Sequence, residues 1–252
     1  MGLELTVLGC AGSHPAAGRL CSGYLVRSGG TSVLLDAGNG STANLQRFVA
    51  LRDLDAIVIS HRHVDHCIDL IGAFYALRFD PAVGGRIPLY GAAEVYDTLT
   101  GLMSADSSMA FDEIFQHTQV RGEDQVQIGP LALRFADSLH ATPAVSTRIE
   151  VDGQALVYSG DTAGGPELVR IARGADLFLC EATWAGDAAD YPPGIHLTAR
   201  EAAQVAVDAE VRKLVLTHIA GGTDRDRVLH EAREVFDGPV ELAEDLAVYR
   251  LG

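Results

Sequence analysis

Basic residues are few in this chain. Lys and Arg together number 19 against 34 Asp and Glu, a net charge of -15. A surface of that sign repels polyanions at long range and lacks the clustered cations of a broad nucleic-acid interface. A small anionic substrate stays open, because a bound dication inverts the local field. Cysteine is also scarce. Cys10, Cys21, Cys67 and Cys180 form no C-x-x-C pair, and their scatter points to neither a disulfide framework nor a structural zinc knuckle. Cys67 reads as a small buried residue at the start of a helix rather than a ligand. No basic region followed by a long apolar stretch opens the chain, and no run suits a membrane span, so the expectation is a cytoplasmic protein with no membrane partner. A Pro- or Ser-rich linker, a low-complexity segment and a G-x-S-x-G nucleophile elbow are all missing.

Hydrophobic residues make up 48% of the 252 positions, enough for a substantial core, and 27 glycines imply many tight turns. Strand-like runs include Leu3 to Leu8, Gly23 to Val26, Ser32 to Asp36, Ala56 to Ser60 and Ile87 to Tyr90. Others cover Leu131 to Phe135, Thr147 to Val151, Ala155 to Ser159, Leu177 to Cys180, Lys213 to Thr217 and Leu246 to Arg250. Helical patterns cover Thr42 to Val49, His66 to Arg78, Gly165 to Ala172, Thr198 to Asp208 and Asp224 to Phe236. Thr198 precedes Glu201 by three positions, a capping-box signature. Sheets followed by helices in both parts of the chain predict an α/β architecture of two stacked sheets inside an outer layer of helices. The expectation is one domain over residues 1–252, built from two similar halves that meet near residue 120.

The densest chemical signal is His61-Arg62-His63-Val64-Asp65-His66, directly after the apolar run Ala56-Ile57-Val58-Ile59-Ser60. Imidazoles and a carboxylate are what a borderline-soft cation such as zinc prefers, and a strand end gives them a rigid base. His140, Asp161 and His218 each follow an apolar strand. Taken singly each can be a turn or a satisfied core residue. Strands of one sheet ending at one edge would bring them to a common rim.

The segments Leu34 to Gly38, Ser60 to His66, His140, Tyr158-Ser159-Gly160-Asp161-Thr162 and Leu216-Thr217-His218 resemble the metallo-β-lactamase fold superfamily, in its order and over nearly the whole chain. The resemblance implies a four-layer αββα sandwich with two divalent metal ions at one edge, zinc first, manganese or iron as options for the same donors. It implies that His61, His63 and His140 hold one ion, that Asp65, His66 and His218 hold the other, and that Asp161 bridges them. Asp36 would order the loop that carries the histidines. Two dications roughly 3.5–4 Å apart would share a bridging hydroxide as nucleophile, with no nucleophilic side chain needed, and Asp65 would help orient it.

Glu181, in Leu179-Cys180-Glu181-Ala182-Thr183, and His196, in His196-Leu197-Thr198-Ala199-Arg200-Glu201-Ala202-Ala203, resemble the tRNase Z-like phosphodiesterase branch. There the histidine assists the leaving group and the glutamate orients it. A position just before a helix N-terminus suits an anion. Proper tRNase Z enzymes carry a long basic arm that grips tRNA, and the segment from Ala163 to Asp176 is too short for it. Compact size, the opening Val7-Leu8-Gly9-Cys10-Ala11-Gly12 and the Cys67-Ile68-Asp69-Leu70 continuation resemble a bacterial subgroup that includes a mycobacterial cyclic-nucleotide phosphodiesterase. The expected enzyme is therefore a metal-dependent phosphodiesterase with a small, cyclic-nucleotide substrate. Alternatives are an RNA-processing nuclease, a thioesterase or lactonase, and a metal-stabilised binding protein. The branch also implies a homodimer. Trp184 is open between stacking on a base and filling the core, Arg62 and Arg148 are expected to face solvent, and His14 sits in the glycine-rich loop after the first strand.

Overall fold

The computed structural model describes residues 2–252. Two seven-stranded sheets carry the architecture. The first runs, side by side, Val248–Leu251, Leu3–Gly9, Gly23–Ser28, Thr31–Ala37, Ala56–Ile59, Ile87–Gly91 and Phe115–Gln119. The second runs Val240–Leu242, Leu214–Thr217, Leu177–Glu181, Gln154–Tyr158, Val145–Val151, Leu131–Asp137 and Gln125–Ile128. Each sheet has three antiparallel pairings on one side and three parallel ones on the other, so the two halves repeat one pattern.

The central parallel strands, such as Ala56–Ile59 and Leu214–Thr217, read as unbroken apolar runs because both their faces are covered. Leu156, Tyr158, Leu177, Leu179 and Val215 turn towards the first sheet and share its core. Their alternates Val157, Phe178, Cys180, Leu214 and Leu216 pack under the helices Pro166–Ala172, Ala199–Asp208 and Arg225–Arg233. That two-residue alternation, one side to the sheet and the other to the helices, is what builds the four layers. On the outside of the first sheet, Asp69–Arg78 buries Leu70, Ala73, Phe74 and Leu77, the spacing of a helix with one apolar stripe. Ala199–Asp208 presents Ala199, Ala202, Ala203 and Ala206 inward, and its start carries the expected capping box between Thr198 and Glu201.

Three expectations are corrected. The predicted helix from His66 to Arg78 is two pieces, Val64–Cys67 and Asp69–Arg78, with His63 in extended backbone just ahead of the first. The break lets the histidines turn into the site before the long helix sets off. The last strand starts at Val248 rather than Leu246, whose φ of 70° lies in the left-handed region. It also returns to the first sheet, so the halves divide near residue 120 except for this closing strand. Among the described residues no helix is long and apolar enough to cross a membrane.

Candidate metal and catalytic site

The parallel strands of both sheets end at one rim, and hydrogen bonds between loops close it. Val145 N donates to the Ser60 carbonyl (3.0 Å) and Ala163 N to the Leu139 carbonyl (2.7 Å), so the loops bearing His61, His140 and Asp161 are tied together. Ile219–Ala220 pairs with Ala11–Gly12, which anchors the His218 loop to the loop after the first strand. Gly12 has to be glycine: a Cβ there would meet the His218 carbonyl at 2.4 Å and its ring Nδ1 at 2.8 Å. His218 itself sits at φ 53°.

The seven side chains singled out as ligands converge. His61, His63, His140 and Asp161 form one group of donor atoms, and Asp65, His66 and His218 form another. His63 Nδ1 lies 2.9 Å from His61 Nε2 and 3.2 Å from His140 Nε2. Asp161 stands between the groups. Its Oδ2 is 3.5 Å from His61 Nε2, while its Oδ1 is 3.2 Å from His66 Nε2 and 3.5 Å from His218 Nε2. Asp65 Oδ2 closes the second group at 3.2 Å from His218 Nε2 and is itself fixed by Ser13 N at 2.8 Å.

The far nitrogens of these rings are occupied, which decides which nitrogen is bare. Asp36, fully buried, accepts from Ser60 N, Ser60 Oγ, Tyr158 Oη and His66 Nδ1, all at 2.7–2.8 Å. It orders the histidine loop as expected. Because Ser60 Oγ gives its proton to Asp36, it can only accept from His61 Nδ1 (3.0 Å). The Ile195 carbonyl takes the Nδ1 proton of His140 (2.7 Å). As neutral rings His61 and His140 are left with a bare Nε2 turned into the cluster, the form that ligates a metal, and His66 turns its Nε2 the same way. Burial holds the His61 imidazole well below its usual pKa, and burial lowers His63 too. Burial also opposes charge on His66, but Asp161 and Asp36 outweigh it and raise its proton affinity. Asp161 would be pushed up by burial, yet His218, His66 and His61 hold it well below the usual carboxylate range.

A cation fits this donor set on a specific observation. His66 Nε2 and Asp161 Oδ1 are both buried and without a hydrogen-bond partner. A ring nitrogen and a carboxylate oxygen buried 3.2 Å apart are costly unless a proton or a cation lies between them, and a cation is what seven such donors around one point accommodate.

Beside the cluster, His196 Nδ1 is 3.0 Å from Glu181 Oε1 and 3.8 Å from Asp161 Oδ2. Burial pulls the His196 pKa down, and Glu181 more than offsets it, so the net direction is up. Glu181 is fully buried and also accepts from Thr162 N (2.6 Å), Leu197 N (3.3 Å) and Thr183 Oγ1 (2.6 Å). Trp184 stacks flat on Tyr191, with centroids 4.5 Å apart, and sets its ring perpendicular to His196 at 5.2 Å. Its position is thus a wall behind the histidine.

The other residues singled out lie elsewhere. Arg62 pairs with Glu94 at 2.7 Å and Thr142 at 2.9 Å. Arg148 does not face solvent as expected: its Nη1 reaches the carbonyls of Ile171 and Arg173 at the end of the helix Pro166–Ala172. His14 is exposed and bonded to the Pro15 carbonyl. Cys67 is buried with its Sγ on the Arg62 carbonyl, away from the ligand set. Ser60, Tyr158 and Thr183 have roles that sequence reading did not assign. Ser60 and Thr183 sit one and two residues from site residues, but a hydroxyl at a strand end carries no pattern that announces which ring it will hold.

Comparison with known proteins agrees with this geometry. Residues 31–219 match the beta-lactamase superfamily domain. The chain is 39% identical over 244 residues to an uncharacterized protein of Mycobacterium leprae, covering 94% of this chain and 85% of that one. It is 30% identical over 287 residues to a ribonuclease Z of Methanopyrus kandleri, covering 98% and 97%. The crystal structure of the metallo-beta-lactamase fold protein YhfI from Bacillus subtilis superposes with a TM-score of 0.86 at 26% identity, over 98% of this chain and 99% of that one. The chain therefore belongs to the beta-lactamase superfamily and, within it, to the tRNase Z-like branch of metallo-hydrolases.

Proposed function

We propose that the protein is a phosphodiesterase acting on a small substrate, a cyclic nucleotide first, with two zinc ions as its cofactor. His61, His63 and His140 would hold one ion, Asp65, His66 and His218 the other, with Asp161 contacting both. Bound there, the ions supply Lewis acidity towards a phosphoryl oxygen and an activated water at neutral pH.

The observation that carries the reading is His196. It stands 3.8 Å from Asp161 with its Nδ1 committed to Glu181, so its Nε2 is the nitrogen left to hold a proton for a departing oxygen. The seven-residue ligand set does not need it. A poor leaving group such as a ribose hydroxyl does. Asp65, whose carboxylate Ser13 N fixes, would orient the attacking water. The named activity of the Methanopyrus relative is also cleavage of a phosphodiester. Small size of the substrate is favoured by the net charge of -15 and by the segment from 163 to 176, which contains only the short helix Pro166–Ala172 and its turns. A cytoplasmic location fits a nucleotide substrate.

A panel assay on metal-quantified protein tests this, with 3′,5′-cyclic nucleotides, bis(p-nitrophenyl) phosphate, precursor tRNA, a thioester and a lactone. The expected result is fastest turnover of a cyclic nucleotide. Faster turnover of the acyl substrates, unaffected by His196→Ala, would assign the site to thioester or lactone hydrolysis instead.

A further inference from the structure

Glu181 is a buried carboxylate whose two oxygens lead to two different histidines, one directly and one through a hydroxyl. Oε1 meets His196 Nδ1 at 3.0 Å. Oε2 accepts the Thr183 hydroxyl at 2.6 Å, and the same hydroxyl oxygen lies 2.9 Å from His218 Nδ1. Thr183, Glu181 and His218 are each at most 1% exposed.

The proton count is decided by what each group can do. A carboxylate engaged with two backbone N–H groups, a ring nitrogen and a hydroxyl acts as acceptor. Thr183 has one hydroxyl proton, and it points to Glu181. Towards His218 the oxygen is therefore an acceptor, and His218 Nδ1 must carry the hydrogen. In the neutral ring the Nε2 of His218 is then the bare nitrogen, and it is the one aimed into the cluster, towards Asp65 Oδ2 (3.2 Å) and Asp161 Oδ1 (3.5 Å). Backbone packing holds Thr183 in place as well, since its carbonyl takes Thr223 Oγ1 at 3.2 Å and Ala220 N at 3.4 Å.

We infer that Thr183 is a positioning residue for the ion held by Asp65, His66 and His218: it fixes the tautomer and ring angle of His218 and ties that ion to the carboxylate that aims His196. The contrast with His66 is informative. Its Nδ1 meets Asp36 directly at 2.7 Å. In His218 the carboxylate acts at one remove, through a neutral hydroxyl, which leaves Glu181 free to hold a second ring. The inference rests on the reading of the cluster as a two-ion centre.

Zinc titration against a competing chelator tests both and separates them. The parental chain should show two bound ions. Thr183→Val, close in shape but without the hydroxyl, should weaken one of them roughly 10–100-fold, the usual cost of losing an outer partner of a ligand. The weakened ion should be the one that Asp65→Ala removes, while the ion that His63→Ala removes keeps its parental affinity. Thr183→Ser should restore both. If Val disturbs folding, seen as a lost melting transition, the Ser and Ala variants give the same contrast with no added bulk. Parental affinity for both ions in Thr183→Val, or equal weakening of both, overturns the role of Thr183 while leaving the metal centre intact. A parental chain that takes up no zinc overturns the two-ion reading itself, and the inference falls with it.

Discussion

The two sheets place a carboxylate and a hydroxyl at the same pair of backbone positions and exchange them. Asp36 follows Leu35, the last residue of its strand paired with Val58, and Ser60 lies two beyond Val58. Ser159 follows Tyr158, paired with Leu179, and Glu181 lies two beyond Leu179. In the first sheet Asp36 accepts from Ser60 N and Oγ, whereas in the second Ser159 Oγ accepts from Glu181 N at 2.9 Å. The exchange moves the carboxylate from the fourth strand to its neighbour. Asp36 is therefore sealed beneath His66, a member of the donor cluster. Glu181 comes out beside His196, which stands apart from the seven donors. One half contributes His61, His63, Asp65 and His66 from a single stretch, the strand end and the short helix Val64–Cys67. The other contributes His140, Asp161 and His218 from three loops, and adds His196 held by Glu181, the pair proposed to transfer a proton. A repeated backbone pattern has been given two different jobs by moving one charge.

The comparison can be broken in order of expected effect. Asp161→Ala removes the oxygens that face both donor groups, and should abolish turnover and both bound ions, measured by metal analysis. Retention of one full ion would mean the groups are independent. His196→Ala should keep both ions and lose roughly 10²-fold or more in kcat on a cyclic nucleotide, the range of a positioned acid. The loss should be smaller on bis(p-nitrophenyl) phosphate, whose leaving group needs little protonation. Asp36→Ala leaves four buried donors unpaired and should cost on the order of 3 kcal/mol or more in urea unfolding, against roughly 1–2 kcal/mol for Ser159→Ala. Equal costs would deny that the exchanged positions differ in weight. Arg148→Gln should cost only about 1 kcal/mol, as expected for a partly exposed side chain at a helix C-terminus, with kcat unchanged.

Much of the site could be read from the residues, for a physical reason. His61 to His66 crowd one strand end, and the lone donors His140, Asp161 and His218 each follow an apolar run, so a shared sheet edge gathers them. The core strands were legible because burial on both faces leaves unbroken runs such as Ala56–Ile59. The edge strands Phe115–Gln119 and Gln125–Ile128 were not, because a strand with a wet face keeps Gln, His and Thr and shows no apolar run. Val240–Leu242 was too short to register, and the helices Val95–Gly101 and Ala105–Met109 show no clear stripe. The broken helix after His63 and the contacts of Thr183, Ser60 and Arg148 depend on which loops meet in space. The single residue says nothing of that.

Anomalous scattering at the zinc edge from crystals of the zinc-loaded protein tests the central claim most directly. Two peaks are expected, one among His61, His63 and His140 and one among Asp65, His66 and His218, with Asp161 contacting both and His196 contacting neither. Asp161, His196 and His218 also lie close enough to hold an ion between them. A single peak on those three would contradict the account, because it would make His196 a ligand and leave the leaving group without its acid.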